Sequence, residues 1–468
     1  MKLHFLGANR QVTGSCYCLE ANGLKIMVDR GMFHERPCLD RNWEPCPVPA
    51  DQLAALVLTH VHVDHCGLIP RLVKEGFKGP IYCTPPSVEL AEIVLRDSAH
   101  IQTEDARFKL KRHAKEGRQG KHPVVPLYVE SDVERVLPYL RGVPYNTPLA
   151  IGESVSVTFH DAGHILGSAM PEFRVREREG ERRVIFSGDI GQTKRPLIRD
   201  PSFFQQADYV VMETTYGDRD HPDSGDIASQ LAAAINRTAA RGGNVVIPTF
   251  AIERAQELVY YIGRLVRTGS IPRMDVFLDS PMAVDVTDIF RKHRDCLDEE
   301  TWNLINSHEP PLRFPGLHLV RGTQESKAIN EMKTPSIIMS SAGMCNAGRI
   351  KHHLRANITR PESTILFVGY QAQGTLGRQI LDGHPIVRIH GREWKVRARI
   401  EQIDGFSGHA DRSALMRWIG SLRKPPRRVF LTHGDEEASE SFAAEMQAQL
   451  GWPVATPRYR DVVDLTAD

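Results

Sequence analysis

The chain has 468 residues, 41% hydrophobic and 25% charged, which is ordinary for a folded globular protein and enough for two domains rather than one. A formal net charge of +1 excludes a globally basic binder of nucleic acid, so any basic surface must be local. Eight scattered cysteines without a CxxC pair, an apolar start too short for a signal peptide, and no apolar run near the roughly 20 residues of a membrane helix predict a cytoplasmic chain with reduced thiols and no membrane association.

Short apolar runs followed by polar turns fill the first 200 or so residues: MKLHFLGA, LKIMVD, AALVLTH, PIYCT, VSVTFHDAGH, RVIFSGDIG and ADYVVMETTYGD. Each reads as a strand, several end in Asp, His or Glu, and a helix over Ser87–Ser98 lies between two of them. Stacked sheets with outer helices are expected. From about residue 218 helices and strands alternate: DIASQLAAAINRTAARGG, NVVIPTF, ERAQELVYYIGRLVRTG, DVFLDS, AVDVTDIFRKH, SIIMSSAG and TILFVGY. Repeated βα units imply a largely parallel sheet, hence a second α/β domain. After about residue 384 the strand-rich style returns, so the expected organisation is a first domain over 1–214 and 385–468 with a second inserted over 215–384.

The stretch LTHVHVDHCG places His60, His62, Asp64 and His65 just past a buried strand. In extended chain, period-two spacing points His60 and His62 the same way. Asp64 and His65 then open a helix with Leu68, Ile69, Leu72 and Val73 on its inward face, Pro70 being tolerable near its first turn. A single histidine there would be an ordinary hydrogen-bonded loop residue; four imidazole or carboxylate groups on one short loop suit zinc. Other strand ends share the format: His164 in DAGHILGSA, Asp189 in FSGDIG, where an aspartate could bridge two metals, and His433 in LTHGDEEA.

HxHxDH followed by GH and GD, with Asp29 in IMVDRG, resembles the metallo-β-lactamase superfamily. The inserted domain and the stretches METTYGDR, PTFAIERAQEL, LDSPMAVDVTD, SSAGMCNAGRIKHHL, GFSGHAD and LTHGDEEA resemble its β-CASP branch of RNA-processing nucleases, over essentially the whole chain. The resemblance implies a metallo-β-lactamase αββα sandwich carrying an inserted β-CASP α/β domain. It also implies two Zn2+, one held by His60, His62 and His164, the second by Asp64, His65 and His433, with Asp189 bridging. Asp29 would support the ligand loop by hydrogen bonds. His409 of GFSGHAD matches the family's general acid, and Glu213 of METTYG the carboxylate that polarises it; Asp64 belongs to the catalytic set as well as the ligands.

Two zinc ions roughly 3.5–4 Å apart would activate a water and stabilise charge on phosphoryl oxygens, so a phosphodiester is a natural target. The implied activity is a zinc-dependent ribonuclease, endo- and possibly 5′-exonucleolytic, that hydrolyses single-stranded RNA to 3′-hydroxyl and 5′-phosphate ends. An inserted domain closing over the metals would admit a single strand and exclude duplex. Gly-rich turns containing Ser340, Ser341, Gly343 and Gly374, with Arg349 and Arg378, are candidate phosphate contacts. Arg107–Lys121, with seven Lys/Arg against one acid, is either a basic flap or a solvated loop. Glu253 stands where many relatives have Gly, which weakens any transfer of RNA contacts there.

A DNA-directed nuclease is the less favoured alternative, since family members acting on DNA tend to lack the histidine equivalent to His433. A small-molecule hydrolase would not need the insert or the His409–Glu213 pair, and a non-catalytic RNA-binding subunit would have eroded ligands. No appended RNA-binding module is apparent. The apolar VFLTH and the helix SESFAAEMQAQLG leave a homodimer open.

Overall fold

The computed structural model describes residues 1–116, 121–178, 180–222 and 225–465, with side chains unassigned at 114–116. Its chain divides into two units. One comprises Met1–Thr193, Asp200–Asp220 and His409–Asp468; the other Lys194–Arg199 and His221–Gly408.

The first unit holds two seven-stranded sheets. In one, Lys2–Gly7, Cys16–Ala21, Leu24–Val28, Ala55–Val57, Ile81–Cys83 and Leu140–Gly142 follow in order, with Val462–Asp464 added beside the first. In the other, Leu149–Gly152, Val155–Asp161, Ala169–Glu177, Gly180–Phe186 and Tyr209–Glu213 are followed by Arg428–Thr432 and Val454–Ala455. Period-two alternation explains why the sheets stack. Leu3 and Phe5, Tyr17 and Leu19, Ile26 and Val28 share one core with Val157, Phe159, Phe173, Val184, Phe186, Val211 and Phe430 of the opposite sheet. Their neighbours on the other face of the second sheet, Met170, Ile185, Val210, Met212, Val429 and Leu431, pack with Leu415, Trp418 and Ile419 of the helix Arg412–Ile419 and with Phe442 and Met446 of the helix Glu436–Leu450. Each such large buried side chain contributes roughly 1.5–3 kcal/mol. The apolar side of Glu436–Leu450, open to a dimer in the sequence, is thus used on its own unit.

The second unit is built on a six-stranded, all-parallel sheet in the order Leu317–Val320, Asp275–Asp279, Ser336–Ser340, Val245–Pro248, Thr364–Val368, Arg399–Ile403. Its central strands VVIP, SIIMS and TILFV are buried at every position, as expected where both faces of a parallel sheet are covered. Arg399–Ile403 pairs with Thr364–Val368, so residues 385–408 group with this unit; their strand-rich style had placed them with the first.

Three local expectations change. The helix expected from Asp64 onward is two short helices, Val63–Cys66 and Ile69–Lys74, because the chain leaves helical geometry at Leu68 and Pro70 restarts it. Val73 is only partly buried, while Leu68, Ile69 and Leu72 are fully so. The helix expected at Ser87–Ser98 runs Pro85–Glu116, making the start of the basic stretch helical; residues 117–120 of that stretch lie outside the described residues. Among the described residues no helix is long and apolar enough to cross a membrane.

Candidate metal centre

The candidate ligands all leave strand ends of the first unit. Gly180–Phe186, Tyr209–Glu213 and Arg428–Thr432 run parallel, and Asp189, Glu213 and His433 lie at or just beyond their C-terminal ends. The loop 60–65 follows Ala55–Val57, and His164 lies between Val155–Asp161 and Ala169–Glu177. Close backbone approach makes this possible. A Cβ on Gly31 would sit 1.6 Å from the Asp64 carbonyl oxygen, and Gly188, at φ +53, would meet the Thr59 side chain at 2.9 Å.

Three groups of potential ligands result among the described residues, one of them Asp189, Glu213 and His409 and two built from the loop 60–65. Of those two, His60, His62, His164 and Asp189 converge in one, Asp64, His65 and His433 in the other. His62 Nδ1 is 3.1 Å from Nε2 of both His60 and His164, and His65 Nε2 is 3.1 Å from His433 Nε2. Asp189 divides its oxygens between the groups: Oδ2 lies 3.3 Å from His60 Nε2 and 3.5 Å from His164 Nε2, Oδ1 3.2 Å from His65 Nε2 and 3.5 Å from His433 Nε2. His433 Nε2 is also 3.4 Å from Asp64 Oδ2.

Three of the rings are held from behind. His65 Nδ1 meets Asp29 Oδ2 at 2.7 Å, and Asp29 also accepts from the Thr59 amide and hydroxyl at 2.8 Å each. His60 Nδ1 is 3.1 Å from Thr59 Oγ1, and His433 Nδ1 3.1 Å from Thr215 Oγ1. Protons on these outward nitrogens would leave the inward ones as lone pairs for a cation; without one, burial opposes charge on His65 and His433, but the carboxylates around them raise both above the usual imidazole range. Asp189 Oδ1 is buried and has no hydrogen-bond partner. Inward lone pairs facing one another around an unsatisfied buried carboxylate oxygen suit a cation, so these residues fit a divalent metal.

Electrostatics follow from the crowding. Burial pushes the His60 imidazole down to about 3 and that of His62 to about 4, so both are neutral, as ligands must be. Burial works against charge on Asp189 and Asp64, but neighbouring imidazoles outweigh it and hold both carboxyls well below the usual range.

Beside the group of His60, His62 and His164, with its ring 4.6 Å from that of His164, His409 places Nδ1 3.2 Å from Glu213 Oε1. Glu213 Oε1 also accepts from the Ile190 amide at 2.6 Å, and Oε2 from the Thr215 amide at 3.3 Å. Burial disfavours the His409 imidazolium, yet the carboxylates of Glu213 and Asp189 raise it to about 9. Its side chain is 23% exposed, whereas Glu213 is enclosed.

Thr59 and Thr215 escaped sequence reasoning. The signal for Thr59 is the repeated LTH of 58–60 and 431–433; in the second copy the Thr432 hydroxyl accepts from Tyr17 Oη at 3.0 Å.

The candidate phosphate contacts lie in the second unit and are largely used there. Ser340 is buried and donates to the Asp279 carbonyl, and Ser341 donates to Ser280 Oγ. Arg349 reaches Asp279 Oδ1 at 2.6 Å and the Arg321 carbonyl at 2.6 Å. Arg378 pairs with Asp382 at 2.9 Å, Gly374 turns at φ +78, and Gly343 lies against the Phe250 ring. Glu253 has φ 63 and ψ −58, a conformation glycine adopts freely.

Residues 9–248 match the metallo-beta-lactamase superfamily model, 255–380 the Beta-Casp domain and 393–457 the Zn-dependent metallo-hydrolase RNA specificity domain. The chain is 37% identical to Ribonuclease TTHA0252 of Thermus thermophilus over 99% of its own length and 100% of that protein. It is 32% identical to Transcription termination factor FttA of Methanosarcina mazei over 95% of its length and 68% of that protein. A crystal structure of a protein of unknown function from Enterococcus faecalis shares the fold, with TM-score 0.56 and 11% identity over 99% of both chains. The chain belongs to the metallo-β-lactamase superfamily, among the members that combine its metal-binding fold with a β-CASP domain and an RNA specificity domain.

Proposed function

We propose that this protein is a metal-dependent ribonuclease that hydrolyses single-stranded RNA at a two-zinc site, leaving 3′-hydroxyl and 5′-phosphate ends. The observation that carries the reading is the Asp189 carboxylate, which offers one oxygen to His60 and His164 and the other to His65 and His433. His60, His62, His164 and Asp189 would hold one ion, and Asp64, His65, His433 and Asp189 the other. Bound there, the metal supplies positive charge for phosphoryl oxygens and acidifies a water to serve as nucleophile near neutral pH. The chain's relatedness to a protein named as a ribonuclease and its RNA specificity domain support RNA as substrate.

This chain's own residues complete the reaction. When the P–O3′ bond breaks, the leaving 3′-oxygen takes a proton, and His409 is the group to give it. Glu213, fixed by two backbone amides, keeps one proton on His409 Nδ1 and favours the imidazolium, so Nε2–H is the one to transfer. Asp29, Thr59 and Thr215 fix ring orientation before substrate arrives.

The test is metal analysis joined to one cleavage assay on end-labelled RNA, its duplex, the matching DNA and a lactam. About two zinc ions per chain and preferential cutting of the single RNA strand, with 3′-hydroxyl ends that a ligase accepts, are expected. Equal cutting of duplex, or preference for DNA or lactam, would overturn the substrate assignment; activity in metal-free protein would overturn the site.

A further inference from the structure

Single exposed apolar side chains are ordinary, but neighbouring ones that form a patch mark a binding surface. Among the described residues of the second unit, Phe250 is 46% exposed and Tyr370 54% exposed. They occupy related places. Phe250 follows Val245–Pro248, Tyr370 follows Thr364–Val368, and these strands are parallel neighbours pairing Val245 with Thr364. That pairing runs through Val246 and Ile365, so the two rings follow the C-terminal ends of neighbouring strands, which lie about 4.8 Å apart where they pair. On the other side Val245 pairs with Ile337, which brings the 340–343 turn alongside, and a Cβ on Gly343 would stand 3.0 Å from the Phe250 ring. The Gln371 side chain donates to both the Gly343 and Tyr370 carbonyls, tying the two turns together. Arg378 lies in the helix Leu376–Leu381 that follows the Tyr370 turn, its side chain 32% exposed and paired with Asp382. The turn from Phe250 into the helix Arg254–Arg267 holds Glu253 at φ 63, a conformation costly for any residue but glycine.

Two exposed rings at adjacent C-terminal strand ends of a parallel sheet, beside glycine turns and an arginine, have the composition of a base-stacking surface. We propose that Phe250 and Tyr370 form a platform on which unpaired bases of RNA stack, Arg378 adding attraction for the backbone. This rests on RNA being the substrate and identifies a place on the second unit that favours an open strand: paired bases have their faces covered by their neighbours, whereas an unpaired one can lie on a ring.

The test uses the full chain with chelator added, so that binding is read without cleavage, and a fluorescent single-stranded RNA beside the same oligonucleotide made abasic. Phe250→Ala and Tyr370→Ala should each weaken binding of the intact strand roughly 5- to 100-fold, the range for loss of one stacked base. Phe250→Trp and Tyr370→Phe should restore it, and the abasic strand should bind wild type and variants alike. Both positions are exposed, and unchanged thermal melting would confirm that the fold survives. Undiminished binding by both alanine variants would overturn the platform and leave the rings to a protein partner. An equal deficit on the abasic strand would also overturn it, by showing that the rings act through local structure. The platform and the ribonuclease reading fail separately: base-dependent binding without any cleavage would sink only the latter, and cleavage with ring-independent binding only the former.

Discussion

Asp29 Oδ2 lies 2.7 Å from His65 Nδ1, placing a buried carboxylate directly behind an imidazole whose other nitrogen faces Asp189. The carboxylate fixes which nitrogen of His65 is presented and makes that nitrogen a better electron donor. Asp29→Asn preserves shape but removes the charge. Metal affinity should fall about 10- to 100-fold, measured by competition with a chromophoric chelator. Unchanged retention would deprive Asp29 of its role in tuning the site.

His60→Ala removes the inward nitrogen of one proposed ligand. Metal content by emission spectroscopy and RNA cleavage should be lost together, and added zinc should restore neither fully. A metal-depleted variant that still cuts at the wild-type rate would refute the assignment of this centre.

His409→Ala should retain its metal yet lose roughly 10²- to 10⁴-fold in kcat, the usual range for a general acid. The pH dependence has a definite sign. His409 must be protonated to act, and in the metal-free protein Glu213 and Asp189 hold it at about 9, so activity should fall as pH rises through the top of its profile. Bound cations would pull that limb lower. Glu213→Gln removes a charge that favours the imidazolium, so the alkaline limb should move to lower pH while metal content stays constant. A limb that stays in place would separate Glu213 from proton transfer.

In the second unit Asp279 is fully enclosed and accepts from His353 Nε2 at 2.6 Å, Ser326 Oγ at 2.5 Å and Arg349 at 2.6 Å. Burial opposes its charge, but these partners hold it below the usual carboxylate range. A depressed folded-state value means stabilisation that is present above the unfolded value near pH 4 and lost as pH falls through the folded one. Asp279→Ala should cost about 3–5 kcal/mol in urea unfolding at pH 7, because it strands partners inside the unit, and should flatten the acid limb of its stability profile. Arg349→Ala should also destabilise, which distinguishes an anchor for the 340–349 turn from a phosphate contact.

Glu253→Gly exchanges backbone strain of about 1–3 kcal/mol for the roughly 0.5–1 kcal/mol of extra freedom glycine has in the unfolded chain. A net gain near 1 kcal/mol in stability is expected, read as a shift in urea midpoint. A loss would mean that the contacts made by the Glu253 side chain outweigh the strain.

The candidate ligands were legible because each sits in a short local motif at the end of an apolar run, as with HVHVDH and SGD. Strand existence was equally legible, since alternation in LHFL and VSVTF is a property of neighbouring residues. Pairing across distance was not. Nothing within PIVRIHG or KVRARIEQI says that Arg399–Ile403 joins Thr364–Val368 instead of a sheet of the first unit. The break at Leu68 hid behind a helical pattern that resumes in phase after Pro70. Arg349 read as a surface cation because its partner Asp279 lies on another strand. Thr59 and Thr215 matter through a few hydrogen bonds to residues distant in the chain, Asp29 and His433, and such residues have no pattern of their own.

The strand Arg428–Thr432 pairs with Tyr209–Glu213 and delivers His433 to within 3.4 Å of Asp64, 369 positions earlier in the chain. Contacts so distant in sequence form late, since a long loop must close before they contribute. A ribosome that has not reached this strand therefore carries a chain with His60, His62, Asp64 and His65 but without His433, and for most of synthesis without His409. The His60, His62, His164 and Asp189 group is complete in sequence by residue 189, whereas the Asp64, His65 and His433 group and the His409–Glu213 pair wait for the returning segment, so the site is assembled in two instalments.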